Sequence, residues 1–343
     1  MPFFQTLFSL SLLLLTHHLI ISSTPTSVPS SSLSSTRAAI LYGPLISFER
    51  SHPSILSNIV HAEEGTDIFY AGPLHHDAEE RLFSAFGSAV KVVRVQPQPP
   101  FSYFVKLLQN MTDIDYYSTW TKYSNALSGI TNASTGTEGY NGGNIYTLYW
   151  QSLAFQEMIK YEKGIRKGLK YTWVVSVRPD MEFVLPLPSN RVLHLASSQR
   201  MPKNRTRALF FMNNHQNYRG VSDRFGILSR AAATFYFLRF NFILSGSFSE
   251  MVNRKSCDGC NSERMLDMWM DATNTTKISL PGFGALLCPL PSERHLGVGG
   301  APSCMVNGFA YKYDDNNPSG EPNVMHRAKL RFKGWSEYFK LPA

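Results

Sequence analysis

The chain has 343 residues, 43% apolar and 17% charged, enough for one large α/β domain or two smaller ones with a sizeable core. This composition excludes global disorder. The formal net charge is +8, with local basic clusters at Lys160–Lys170, Arg191–Arg207 and His326–Lys340, but no Gly-Arg repeat, zinc-finger spacing or RNA-binding motif accompanies them. The charge therefore reads as attraction to anionic ligands or as plain surface, and nucleic acid is not an expected partner.

The chain opens with a leucine-rich stretch, Phe3 to Ser22, that carries no formal charge, followed by Ser/Thr/Pro-rich sequence. Residues 1–22 read as a signal peptide or signal anchor and residues 23–36 as a stem or linker. The expected location is the secretory pathway, in the ER or Golgi lumen, with membrane contact only through that anchor. Asn-X-Ser/Thr triplets at Asn110, Asn132, Asn204 and Asn274 are compatible with a lumen. Cys257, Cys260, Cys288 and Cys304 make either two disulfides or an incomplete zinc pattern, and an oxidising compartment favours the disulfides. Residues 37–305 form the expected domain, with 306–343 as a basic tail packed on it.

Strand and helix patterns then alternate. The apolar run from Ala38 to Leu45 is a strand ended by Gly-Pro. Residues 52–65 read as a helix with Pro53 near its start and Gly65 past its end. A strand at 66–73, a helix at 75–87 and a strand at 89–97 follow. This β-α-β-α-β order predicts an α/β fold with a mostly parallel sheet, in which ligands sit outside the carboxyl ends of the strands. Residues 110–143 form a long polar stretch containing Tyr116, Tyr117, Trp120 and Tyr123, whose rings either stack on sugars or pin the loop. A helix is expected from Asn144 to Gly168, its terminal Lys160, Lys163, Arg166 and Lys167 complementing the dipole. A strand from Tyr171 follows. Residues 191–198 and 207–214 read as strands, placing His194 in a core strand. Residues 220–244 read as a polar turn, Ser222 to Gly226, entering one long apolar helix. A helix capped by Asn261 or Ser262 and a late strand from Lys277 complete the domain.

The stretch YTWVVSVRPDMEF, residues 171–183, ends an apolar strand with an arginine and two carboxylates. Asp180 and Glu182 suit a hard cation, Mn²⁺ or Mg²⁺, that also binds substrate phosphates, and Arg178 suits a bidentate phosphate contact. The plain alternative is a solvated turn with a local Arg–Asp pair. There is no nucleophile elbow, His-Glu-x-x-His or P-loop. His75-His76 lacks metal spacing. A glycoside hydrolase, with two carboxylates across a cleft, is left open by spacing alone.

Three stretches carry a resemblance: AILYGPLISFE at 39–49, YTWVVSVRPDMEF, and GVSDRFGILSR at 220–230 followed by NSERMLDMWM at 261–270. In their order and spacing they resemble GT-A-type glycosyltransferase-like proteins. The resemblance implies a GT-A-like, Rossmann-type sheet flanked by helices, with an acceptor-side extension. It implies a nucleotide-sugar donor and a glycan, protein or lipid acceptor. It makes Asp180 and Glu182 the counterpart of an Asp-x-Asp metal motif, with Glu in the second place. It sets Tyr42 and Gly43 against the base and ribose, with Arg178 and Arg224 also on the donor. An inverting transfer needs a base for the acceptor hydroxyl, and Asp223 and Glu263 are the candidates. Their structural alternatives are an N-cap or Arg224 salt bridge for Asp223 and a helix-dipole contact for Glu263. A non-catalytic carbohydrate-binding module on the same cleft is the competing reading.

Overall fold

Six consecutive buried residues, Arg37–Tyr42, form β1 at the centre of the sheet. The computed structural model describes residues 35–62, 65–100, 102–104, 106–107, 144–200, 208–213, 220–245, 262–281, 284–286 and 332–341. The N-terminal apolar stretch, the aromatic loop at 110–143, the four cysteines and the triplets at Asn110, Asn132 and Asn204 lie outside the described residues.

After β1 come α1 (Phe48–Ile55), β2 (Asp67–Pro73), α2 (Ala78–Phe86) and β3 (Val90–Gln96). The long α3 (Asn144–Gly164) leads into β4 (Trp173–Val177), β5 (Met181–Phe183) and α4 (Asn190–Arg200). Then follow β6 (Leu209–Asn213), β7 (Gly226–Ser229), α5 (Arg230–Phe237), α6 (Arg239–Leu244), α7 (Ser262–Ala272), β8 (Thr276–Leu280), β9 (Gly284–Leu286) and α8 (Trp335–Phe339). The main sheet has seven strands in the order β3-β2-β1-β4-β7-β6-β8. Only β7 runs against the others, pairing antiparallel with both β4 and β6. The fold is thus α/β with a mostly parallel sheet, as the alternating pattern implies. A second small sheet joins β5 to β9.

The sheet is buried on both faces, so its strands are apolar throughout rather than alternating. Ala38, Ile40 and Tyr42 face a cluster built with α3, α5, α6 and α7. Ala39 and Leu41 face a second cluster built with α1, α2, α4 and α8. Each fully buried large side chain, such as Trp150 on one face or Phe69 in β2, contributes about 1.5–3 kcal/mol. Trp335 fastens α8 by donating to the Pro186 carbonyl at 2.9 Å.

Four local expectations are corrected. Residues 190–200 form a helix, not a strand: Leu193, Ala196 and Ser197 are buried at helical spacing, and Ser189 accepts from the Val192 amide at its start. His194 therefore lies exposed on that helix, not in a core strand. Residues 226–229 form β7 before the helix begins, because Ser229 ends the strand in an extended conformation and its hydroxyl caps α5 through the Ala232 amide. The long apolar helix is broken at Leu238, and Arg239 is buried, bonded to Gln151 and the Tyr236 carbonyl. Helix α1 starts at Phe48, so Pro53 lies inside it, and a π-helical turn over Leu56–Val60 follows. Among the described residues no helix is long and apolar enough to cross a membrane.

Candidate active site

Because β1 and β4 are parallel neighbours, Tyr42 and the residues after Val177 emerge at the same carboxyl edge. Strand β7 runs the other way, and Gly226 pairs with Ser176, so the loop 220–225 arrives at that edge as well. Helix α7 brings Glu263 to the loop. Gly220 makes this possible: a Cβ there would stand 2.2 Å from the backbone of Glu263 and Arg264. The Val221 amide then donates to the Glu263 carbonyl at 3.0 Å. Residues separated by some 220 positions along the chain, Tyr42 and Glu263 at its ends, are thereby gathered at one edge.

The turn after β4 is held by Ser51, whose hydroxyl donates to the Pro179 carbonyl. Arg178 donates to both oxygens of Asp180, Nε to Oδ1 at 2.9 Å and Nη2 to Oδ2 at 2.7 Å. The local Arg–Asp pair raised as the plain alternative is therefore present, at the mouth of the site. Its side chains keep 30% and 19% exposure, so it is open to solvent on one side. Burial lowers the Arg178 pKa, but Asp180, Tyr42 and Asp223 outweigh that and hold the guanidinium firmly charged.

A second arginine–carboxylate pair lies beside it. Arg224 Nη2 is 3.5 Å from Glu263 Oε1, so Arg224 pairs with Glu263. Ser262 donates to Glu263 Oε2 at 3.0 Å. Burial pushes the Glu263 carboxyl above its ordinary range, and the nearby charge of Asp223 adds to this, against the pull of Arg224 and Ser262. The Asp223 charge reaches Arg178, Tyr42, Tyr236 and Glu263.

Under these charges lies a hydroxyl network that the sequence reading missed. Ser176 Oγ lies 3.3 Å from both Tyr42 Oη and Tyr236 Oη and can donate to either. Tyr236 Oη donates to the Asp223 carbonyl at 2.8 Å, and Tyr42 Oη reaches the Arg224 carbonyl at 3.5 Å. Burial pushes both phenols far above their ordinary range, so they stay protonated donors. The visible signal was Ser176, the lone hydroxyl in the run Trp-Val-Val-Ser-Val. Nothing local marked Tyr236, one aromatic among several in α5.

The remaining nominated residues are Gly43 and Glu182. Gly43 turns the chain at φ +93°, its amide bonded to the Ala71 carbonyl at 2.9 Å and its carbonyl accepting from Tyr70 at 2.8 Å. Its backbone is thus committed within the protein. Glu182 lies on β5, half-exposed, between the buried Met181 and Phe183.

Asp180 and Glu182 offer hard oxygen ligands of the kind a divalent ion takes. Both Asp180 oxygens already accept from Arg178. Among the described residues the one group of three acid or histidine ligands is His75, His76 and Asp77, with ligand atoms within 4.8 Å of one another. It follows β2 at the same edge, and His75 bonds to Asp77. Each Asp180 oxygen keeps a further lone pair beside its bond to Arg178, so Asp180 remains able to meet a cation.

No family model matches the chain, and no curated protein matches it. Solved structures do show likeness. The apo form of mouse xyloside xylosyltransferase 1 is 9% identical, with 71% of this chain and 84% of that one covered and a TM-score of 0.38. Core-mannan synthase A from Aspergillus fumigatus, in a Mn/GDP form, is 10% identical over 76% and 74% of the two chains, with a TM-score of 0.35. A nucleoside-diphosphate-sugar pyrophosphorylase from Vibrio cholerae is 9% identical over 76% and 99%, at 0.36. At these scores the likeness is a loose one of architecture, and it carries nothing about substrate or metal.

Proposed function

We propose that the chain is a glycosyltransferase that moves a sugar from a nucleotide-sugar donor to a hydroxyl of a glycan, protein or lipid. The observation that supports this best is the convergence of Tyr42, Arg178, Asp180, Asp223, Arg224 and Glu263 at the carboxyl edge of β1 and β4. Open mostly parallel sheets bind ligands there. The same residues carry the resemblance to GT-A-type proteins.

In this reading Arg178 and Arg224 meet the donor diphosphate, where a planar guanidinium gives two parallel hydrogen bonds. Tyr42 closes the floor beneath the nucleoside. Asp223 or Glu263 takes the proton of the acceptor hydroxyl in an inverting transfer, a role that a carboxyl with a raised pKa serves well. Mn²⁺ or Mg²⁺ at Asp180 and Glu182, which the resemblance implies, would either share Asp180 with Arg178 or displace Arg178 from it. The luminal setting rests on the N-terminal apolar stretch alone.

The test is calorimetric titration of UDP, GDP and CMP into the full chain, with and without Mn²⁺, beside Asp180→Asn and Arg178→Ala. Saturable binding of one of these nucleotides, weakened by Arg178→Ala, is the expected outcome. Dependence on both Mn²⁺ and Asp180 would add the ion to the site. No binding of any nucleotide by the folded protein would remove the reading.

A further inference from the structure

The opposite edge of the sheet carries a feature that the proposed reaction does not use. After α3 the chain makes a tight turn, Lys163-Gly164-Ile165-Arg166-Lys167-Gly168-Leu169-Lys170. Ile165 and Leu169 are 41% and 56% exposed, two of the few large apolar side chains outside the core. Lys163, Lys167 and Lys170 are exposed beside them, and the turn contains no carboxylate.

This turn is anchored. The Gly168 amide donates to the Glu162 carbonyl at 2.7 Å, and Lys167 and Gly168 take left-handed conformations, φ 52° and 87°. Between the exposed residues, Arg166 points inward: its Nη1 is 3.7 Å from Asp67 Oδ2 and its guanidinium lies 4.0 Å from the Tyr171 ring centroid. Glu162 accepts from the Tyr171 amide and pairs with Arg230. The fold thus fixes the turn from below and leaves two aliphatic side chains and three cations facing out. Apolar side chains flanked by lysines suit the interface of an anionic bilayer, with the aliphatics in the headgroup region and the cations at the phosphates.

The path of the chain agrees with this. The Thr172 amide donates to the Thr36 carbonyl at 2.8 Å, so the described chain begins two residues from Lys170. The uncharged stretch that ends at Ser22 lies only twelve residues before Ser35. Even fully extended, that connection spans roughly 40 Å. The candidate active site is at the other edge of the sheet, facing away.

We propose that the 163–170 turn is a docking surface for an anionic lipid bilayer, which sets the sheet on end with its carboxyl edge outward. The test uses the full chain on phosphatidylcholine vesicles containing about one-fifth phosphatidylserine and brominated acyl chains. Leu169→Trp supplies a reporter in the turn. Leu74→Trp, at an exposed position after β2 on the opposite edge, supplies the control, and circular dichroism confirms the fold of each variant. The expected result is that the added tryptophan at 169 loses roughly half its emission or more on brominated vesicles, whereas that at 74 loses none. Lys163→Glu, Lys167→Glu and Lys170→Glu together, or molar salt, should abolish the quenching at 169. Vesicle-bound chain with an unquenched reporter at 169, or equal quenching at both positions, would overturn the proposal, the former leaving a protein partner as the occupant of the turn. Quenching that persists on vesicles without phosphatidylserine and in the triple variant would overturn it too, as would a chain that leaves the vesicles unbound.

Discussion

The two edges of the sheet hold two ionic groups of similar composition and opposite character. At the amino edge, Asp67 is approached by Lys91 at 3.4 Å and Arg166 at 3.7 Å and accepts from Tyr171 at 2.7 Å, and Glu162 takes Arg230 through both oxygens. Their carboxylates are 7% and 3% exposed. At the carboxyl edge, Arg178 and Asp180 keep 30% and 19% exposure, whereas Arg224 and Glu263, 3.5 Å apart, are 10% and 7% exposed. The first group is closed and works as a fastening beneath the 163–170 turn. In the second, the Arg178–Asp180 pair is open on one side, so an anionic ligand can compete for Arg178 without unfolding anything. Exposure and partial compensation, rather than the number of charges, distinguish a binding site from a staple.

This contrast can be broken experimentally. The largest effect on stability is expected from Asp67→Asn, which strands Lys91 and Arg166 without a countercharge. The loss should be about 3 kcal/mol, the low end for a broken buried pair, because burial already raises the Asp67 pKa and offsets part of its benefit. Denaturant titration measures it, and nucleotide affinity at the far edge should stay unchanged. Asp180→Asn should do the reverse: unfolding within about 0.5 kcal/mol of the parent, but donor turnover down by about a hundredfold or more. Equal loss of stability in the two variants would remove the distinction between the edges.

Gly220→Ala tests how the site is assembled. The new methyl meets rigid backbone of α7, so a stability loss of about 1–3 kcal/mol is expected, together with about a tenfold fall in turnover as Asp223 moves relative to Glu263. The smallest effect concerns pH. The Glu263 pKa is raised in the folded state, so the folded protein holds that proton to higher pH than the unfolded chain does. The corresponding stabilisation is complete below the unfolded value and is lost as pH rises through the folded one. Glu263→Gln should flatten this part of the stability profile just above the ordinary carboxylate range, read by denaturation at each pH. If Glu263 is also the base, the acid limb of kcat/KM lies above the ordinary carboxylate range and disappears in the variant.

Much of the sheet was legible because its strands are short apolar runs bounded by Gly and Pro. Strand β7 was not: Gly-Ile-Leu-Ser is too short to stand out from the apolar helix that follows, and it becomes a strand by pairing with β4 and β6. Helix α4 was misread because Val192, His194 and Ala196 mimic an alternation, and only packing against the sheet selects the helical set. In the site, charged residues after a strand or before a helix were conspicuous, and Tyr42, Arg178, Asp180, Asp223, Arg224 and Glu263 do gather. The internally bonded Gly43 shows the limit of reading neighbours along the chain. Arg166 shows it again: it reads as one more cation at a helix end, yet it is buried against Asp67.

The sequence by itself determined most of the strands and helices of the α/β fold, β7 and α4 excepted, and which residues carry charge at its edges, because these follow from local composition and spacing. Only the tertiary structure decided the pairings: Arg178 with Asp180, Arg224 with Glu263, Arg166 with Asp67, and Tyr236 under Asp223. The physical reason is that partners are selected by strand order and by the cost of desolvating each charge. Neither quantity exists until the two faces of the sheet are covered.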